Sequence, residues 1–390
     1  MDVQKNNKSG FTIVELVISM IVIGILATIM FISYGGIIKK VATENLKSDL
    51  LNASNKLAKF KATYGVYPVT ISCSIPDSKN NLCIKGTTSD TTFTYNVNTA
   101  VSPDKFGLTA AKGNDADLSY RTADGSEPIA CPSGYIVVPG SKTYGTSNFC
   151  VMKYEAKHGS SDIPVSTALS YPWVGLVWND AVAFSERSCS GCHLVSEAEW
   201  MTIAQNLIKI PSNWSGGVVG NGYMFRGHSD GDPNAALESS ADDLSYYNTN
   251  QSSGDQRRTM TLSNGEVIWD LAGNVNERTS GLIVGSQPGI TGESSFGFKE
   301  WANVNNGIIP QVNPYPANAF SAAASWTAHD QGIGGLYSNA GASVSGTRSV
   351  YRGGRWDINV LTSDGGIFFL NADGTRSSGG SDSIGFRVTR

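Results

Sequence analysis

Residues 8–36 read KSGFTIVELVISMIVIGILATIMFISYGG, and nearly every side chain from Phe11 to Tyr34 is apolar. At 1.5 Å per residue a helix over this run spans roughly 36 Å, enough for a hydrocarbon core of about 30 Å. Yet Glu15 stands near its start. A lone carboxylate in lipid costs on the order of 2.5–3.5 kcal/mol on insertion scales, so it needs a partner. Lys5 and Lys8 in the short leader favour a cytoplasmic start. The leader is too short and too polar for an ordinary secretory signal, whose apolar core would be followed by a small-residue cleavage site. Cleavage after Gly10 would free an α-amino group on Phe11, four residues ahead of Glu15. Such an amine would neutralise the carboxylate of a neighbouring subunit as the two leave the bilayer and pack together, which gives a buried Glu a physical reason.

The block G-F-T-I-V-E-L, Gly10–Leu16, resembles the class III signal of type IV pilins and type II secretion pseudopilins. The resemblance implies cleavage by prepilin peptidase between Gly10 and Phe11, N-methylation of Phe11, and alignment of each subunit through Glu15. It implies other pilin subunits as partners and the membrane as a partner through 11–34. The expected location is the cytoplasmic (inner) membrane for the precursor, then the pilus or cell surface. Beyond the apolar run, Val41, Leu46, Leu50, Leu57 and Phe60 recur among polar residues at roughly helical spacing. Gly65 and Pro68 end that pattern. The whole helix, Phe11 to about Thr63, would run roughly 80 Å.

At 390 residues the chain is long enough for two or three domains. A net charge of -4 gives no nucleic-acid footprint, and 16% charged residues with 43 glycines do not describe a helical cytosolic enzyme. The expected organisation is a leader at 1–10, a transmembrane and amphipathic helix at 11–64, a small β-rich lobe at 65–129, and an α+β domain at 130–390. In the lobe TFTYNVN alternates, with FGLTA and LSYRTADG following. GSEPIACPSG is the linker.

Six cysteines behind a membrane segment point to an oxidising compartment. Cys73 and Cys83 bracket a loop and are expected to staple the small lobe. SGYIVVPGS and FCVMKYEAK read as strands joined by Cys131–Cys150. YPWVGLVWNDAVAFSERS reads as a turn and a helix capped by Asn179. HLVSEAEWMTIAQNL reads as a second helix, Ser196 and Glu199 forming a capping box. Cys189 and Cys192, in CSGC, suit a tight structural disulfide, a redox dithiol or half a zinc site. The pair follows a helix instead of opening one, which favours the disulfide.

The later blocks carry a second resemblance. PWVGLVWNDAVAF, HLVSEAEW, VIWDLAGNVNERTSG, RGGRWD and IGFRV, in that order, resemble the formylglycine-generating enzyme (sulfatase-modifying factor) family, a variant of the C-type lectin fold. The resemblance covers about 131–390 and departs from the pattern at Asn276, where an aromatic is common. The family's oxidase needs reactive cysteines in the C-terminal third that hold copper, whereas nothing after Cys192 is cysteine. Its nonheme-iron relatives need clustered histidines, whereas His158, His193, His228 and His329 are scattered. Catalysis is therefore not expected. Calcium is the one cofactor implied, a structural ion on the carbonyls of Ala272, Gly273 and Val275 with the side chain of Glu277. A structural ion pair or hydrogen bond at Glu277 is the competing expectation. Asp230 and Asp232, in RGHSDGDP, are either further oxygen ligands or a solvated turn.

Between RGGRW and IGFRV runs a segment crowded with Asp, Asn, Ser, Gly and Thr. Within it GIFFLN reads as a strand that buries Phe368, Phe369 and Leu370. The arrangement is similar to target proteins of diversity-generating retroelements, in which adenine-directed mutagenesis rewrites codons on a C-type-lectin scaffold. Solvent-facing positions expected to contact an extracellular protein or glycan are Asp357, Asn359, Leu361, Thr362, Asp364, Asn371, Asp373, Arg376, Ser378 and Ser381. Trp356 is divided between core packing and ligand stacking. The reading is a non-catalytic pilin-like surface protein with a lectin-fold head. A purely structural subunit and an exported formylglycine-generating-type enzyme are the alternatives.

Overall fold

The computed structural model describes residues 13–98, 105–113, 115–123, 129–284, 296–299, 331–339, 347–357, 365–375 and 381–390. They form a mixed α+β structure with several small sheets and few helices. The first element, α1 (Ile13–Tyr64), ends where Gly65 takes a left-handed backbone, φ 80°, and donates its N–H to Lys61 O. Its lower half lays Ala42, Leu46, Leu50, Ala53, Leu57 and Phe60 along one buried stripe. The steps of three and four residues keep them on a single face. Val41 is 55% exposed, and Ala42 occupies the stripe instead. The expected helical face is therefore corrected by one position.

That stripe packs on a four-stranded antiparallel sheet, β1 (Thr91–Asn98), β2 (Lys105–Lys112), β3 (Asp115–Ala123) and β4 (Ile129–Ala130). Phe106, Leu108 and Ala110 alternate inward from β2 to meet it. Asp49 of α1 is buried and accepts from Thr87 N at 2.8 Å, which ties the helix to the loop entering β1. Cys73 and Cys83 are bonded beside that loop.

The second half begins with the hairpin β5 (Tyr135–Val138) and β6 (Phe149–Met152), closed by Cys131–Cys150. A short pair follows, β7 (Lys157–His158) with β8 (Pro164–Val165), then α2 (Trp178–Ser188), β9 (His193–Leu194) and α3 (Glu197–Leu207). Cys189 caps the C-terminus of α2 and is bonded to Cys192. All six cysteines are thus disulfide-bonded. Helix α2 starts earlier than expected. Its N-cap is Val177, with no side-chain cap, so Asn179 lies inside the first turn. Trp178 Nε1 donates to Thr279 O at 2.8 Å, and this long-range contact fixes the entry in place of a cap. Helix α3 carries the full capping box, with Ser196 Oγ accepting from Glu199 N and the Glu199 carboxylate accepting from Ser196 N.

The remaining strands are β10 (Thr259–Thr261), β11 (Val267–Trp269), β12 (Asn276–Val284), β13 (Phe296–Lys299), β14 (Leu336–Asn339), β15 (Thr347–Gly353), β16 (Gly366–Thr375), β17 (Ile384–Phe386) and β18 (Val388–Thr389). Six of them make one sheet in the order β13-β14-β16-β15-β12-β17, with β17 parallel to β12. A second sheet runs β5-β6-β18-β9 and so seats the end of the chain between early strands. Trp200, Ile203 and Leu207 of α3 pack on Ile367, Phe368 and Leu370 of β16 and Val350 of β15. Trp200 Nε1 donates to Ile367 O at 2.8 Å, so the buried indole leaves no unpaired donor.

Candidate functional site

The turn between β11 and β12, Asp270–Asn276, organises the C-terminal face. Asp270 and Asn274 both have positive φ, 51° and 62°, conformations that Asp and Asn tolerate better than most residues. Asn274 holds the turn with its side chain, since Oδ1 accepts from Leu237 N at 2.7 Å and Nδ2 donates to Glu155 at 2.6 Å. The other Glu155 oxygen accepts from Val275 N at 3.1 Å. Burial foremost, and then the Asp270 charge, push Glu155 up to about 8.

Both ends of the polar segment 356–384 hang from this one turn. Trp356 N donates to Asn274 O at 2.9 Å, while Asn276 N donates to Ser383 O at 2.9 Å. Arg355 bridges the two ends by pairing with Asp357 at 2.6 Å and donating to Ser383 Oγ at 3.3 Å. Ser381 Oγ lies 2.8 Å from Ser383 Oγ, and Ser381 O accepts from Gly175 N.

Beneath the turn lie three buried ion pairs. Arg387 contacts Glu277 with Nη2 at 2.6 Å and Nε at 3.0 Å, both side chains being fully buried. Its remaining donors reach Met152 O and Trp269 O, each at 2.8 Å. Arg258 pairs with Asp270 at 2.7 Å, and Arg352 of β15 pairs with Glu197 at the start of α3. Their guanidinium forks also donate to backbone carbonyls, which offsets the cost of taking charge out of water.

The expected residues fall as follows. Trp356 is 9% exposed and packs inward, while Asp357 is exposed. Asn371 and Asp373 belong to β16, an interior strand, and Asn371 is half-buried there instead of facing solvent freely. Ser381 is half-buried. Asn359, Leu361, Thr362, Asp364, Arg376 and Ser378 lie outside the described residues, as do Gly10, Phe11 and the side chain of Glu15. Ala272, Gly273 and Val275 sit in the turn as expected, with Gly273 N donating to Gly353 O. Glu277 makes the ion pair expected as the alternative to calcium, both its oxygens accepting from Arg387. Among the described residues no three His, Cys, Asp or Glu side chains converge on a common point. Asp232 N donates to Asp230 Oδ1 at 3.1 Å, and Asn250 Nδ2 donates to Asp232 at 2.6 Å, so these two acids shape a turn.

Sequence reasoning missed Arg258, Arg352 and Arg387 as anchors, along with Glu197 and Glu155. For Arg352 and Arg387 the signal available was an arginine inside an otherwise apolar or glycine-rich block, at RGG and GFR, whereas Arg258, in the polar stretch DQRRT, carried no such signal.

A family described as the prokaryotic N-terminal methylation motif matches residues 5–31. No curated protein matches the chain. The matched stretch contains Gly10, Phe11 and Glu15. The motif is that of a type IV pilin-like protein, made as a membrane-anchored precursor and exported to the cell surface. Assembly with other pilin subunits and processing by a prepilin peptidase accompany such a motif in general. Among the described residues no helix is long and apolar enough to cross a membrane. Most of the expected span at 11–34 depends on side chains outside that set.

Proposed function

We propose that this chain is a non-catalytic, pilin-like surface protein that displays residues 130–390 as a lectin-fold head and binds an extracellular protein or glycan through segment 356–384. The observation that carries this reading is the suspension of both ends of the segment from the turn Asp270–Asn276, above fully buried ion pairs. A scaffold held that firmly tolerates changes in what it presents. All six cysteines are disulfide-bonded, which accords with a structural use of them. The segment's Asp, Asn, Ser and Gly content accords with adenine-directed diversification. A head of this size crowds a fibre whose subunits rise by small steps, which favours a tip or minor subunit.

Export and assembly are tested with Glu15→Leu. The variant should be cleaved after Gly10 and inserted normally, yet be absent from sheared surface filaments. Wild-type incorporation of that variant would refute pairing of Glu15 with the Phe11 amine.

A further inference from the structure

Two domains joined only by a linker move against each other by default. The stretch expected as a linker here, GSEPIACPSG, leaves no slack at its centre. Ile129–Ala130 form β4 of the lobe sheet, Ile129 opposite Arg121 and Ala130 opposite Tyr120. The Ile129 side chain also packs against the core of the following domain, in the cluster that includes Cys131, Tyr135 and Cys150. The next residue, Cys131, is bonded to Cys150. A second contact lies far from this crossing in the sequence. Strand β2 is buried on both faces: Phe106, Leu108 and Ala110 meet α1, and Gly107 and Thr109, which point the other way, are buried as well. Gly107 is covered by the turn of the hairpin β10–β11, Leu262–Glu266. A Cβ on Gly107 would stand 3.2 Å from Asn264 O and 3.4 Å from Glu266 Cγ. One on Gly265 would stand 3.2 Å from both Asn96 Cβ and Val97 N of β1. Only glycine lets the two backbones come this close. Hairpin turns run over the surface, yet Asn264 is fully buried and Ser263 and Glu266 are nearly so. Asn264 Nδ2 donates to Val137 O at 3.1 Å, which braces the turn from within its own domain.

We infer that the turn Leu262–Glu266 is an interaction surface whose partner is the β1–β2 face of the small lobe, and that lobe and head are thereby locked as one rigid body. A single crossing of the chain at Ala130 would allow rotation about that point. A second contact away from it removes the rotation. The C-terminal face then keeps a fixed bearing to α1, and a pull on it reaches the stalk through the turn as well as through the chain. The joint stands whatever segment 356–384 binds, so its failure and the failure of the display reading are separate results.

The test uses the full chain in detergent, with spin labels on Thr94→Cys in the lobe and Lys142→Cys in the head, both exposed positions. The native cysteines are all bonded, so the labels go to the new thiols. Pulsed electron–electron double resonance should give one narrow distance peak. Gly107→Leu drives a side chain against Asn264 and Glu266 while Phe106 and Leu108 keep their places on α1, and it should abolish that narrow peak. In a separate variant, Gly107→Cys with Glu266→Cys should close a disulfide under mild oxidation, because the Glu266 Cγ position lies within bridging reach of a Cβ at 107. Peptide mass mapping reads that bridge, and it decides the matter alone should Gly107→Leu unfold the lobe. The inference is overturned by a broad distance distribution before any wedge is introduced, by a narrow peak that survives Gly107→Leu in folded protein, or by a folded cysteine pair that stays unbridged.

Discussion

Glu277→Gln leaves the Arg387 guanidinium in the core with its charge uncompensated. Removal of one partner from a fully buried pair costs about 3–5 kcal/mol, and that loss should appear in urea unfolding of the variant. Replacing both partners with apolar residues of similar volume should cost less, because no orphaned charge remains. His193 and Glu199 make a different kind of pair, part-exposed and tuned by pH. The hydrogen bond to Glu199 holds His193 above its ordinary 6.5. Burial alone would raise Glu199, yet hydrogen bonds from His193 and Ser196 bring it below its ordinary 4.5. The histidine's contribution is complete below 6.5 and fades as pH climbs through its raised folded-state value. The glutamate's is complete above 4.5 and fades as pH falls through its lowered one. Both therefore operate between 4.5 and 6.5. His193→Gln should flatten the loss of thermal stability between about pH 5.5 and about pH 8, with melts at the two values as the check.

Among the elements, α3 was the most legible, since Ser196, Glu199 and the apolar positions after them lie within a dozen residues of one another. Ser196→Ala should cost about 0.5–2 kcal/mol in chemical denaturation, the usual loss of an N-cap. The loss belongs at the upper end, because Ser196 Oγ also donates to Glu199, which accepts from Thr389 Oγ1 as well. Helix α2 was misread at its start because a distant contact, Trp178 on Thr279, replaced the local cap. The same distinction explains the sheets. The alternation in β1 is local and was visible. The parallel pairing of β12 with β17 joins segments about a hundred residues apart, and no periodicity encodes it. An ion pair at Glu277 is one of the two sequence expectations, but for that reason nothing local names Arg387 as its partner. Glu277 and Arg387 stand in separate blocks, and only the folded chain brings the blocks together.

Across the whole molecule, the pilin-like start was legible because a carboxylate in an apolar run is rare enough to specify its own chemistry. The C-terminal face was legible as composition only. Exchanging Asp357, Asn359, Thr362 and Ser378 for other polar residues should change partner choice in a surface-binding assay while moving stability by no more than about 0.5 kcal/mol each. A large drop in melting temperature from several such exchanges would place them in the core instead. The end of the chain has its own consequence. Strand β18 lies between β6 and β9, and Arg390 exchanges backbone hydrogen bonds with Cys150, each at 2.9 Å. Strand β18 is thus a keystone, set between strands that come more than 190 residues earlier in the sequence. Deletion of residues 386–390, which removes β18 and Arg387 together, should leave residues 130–385 soft and protease-sensitive, with limited proteolysis as the check.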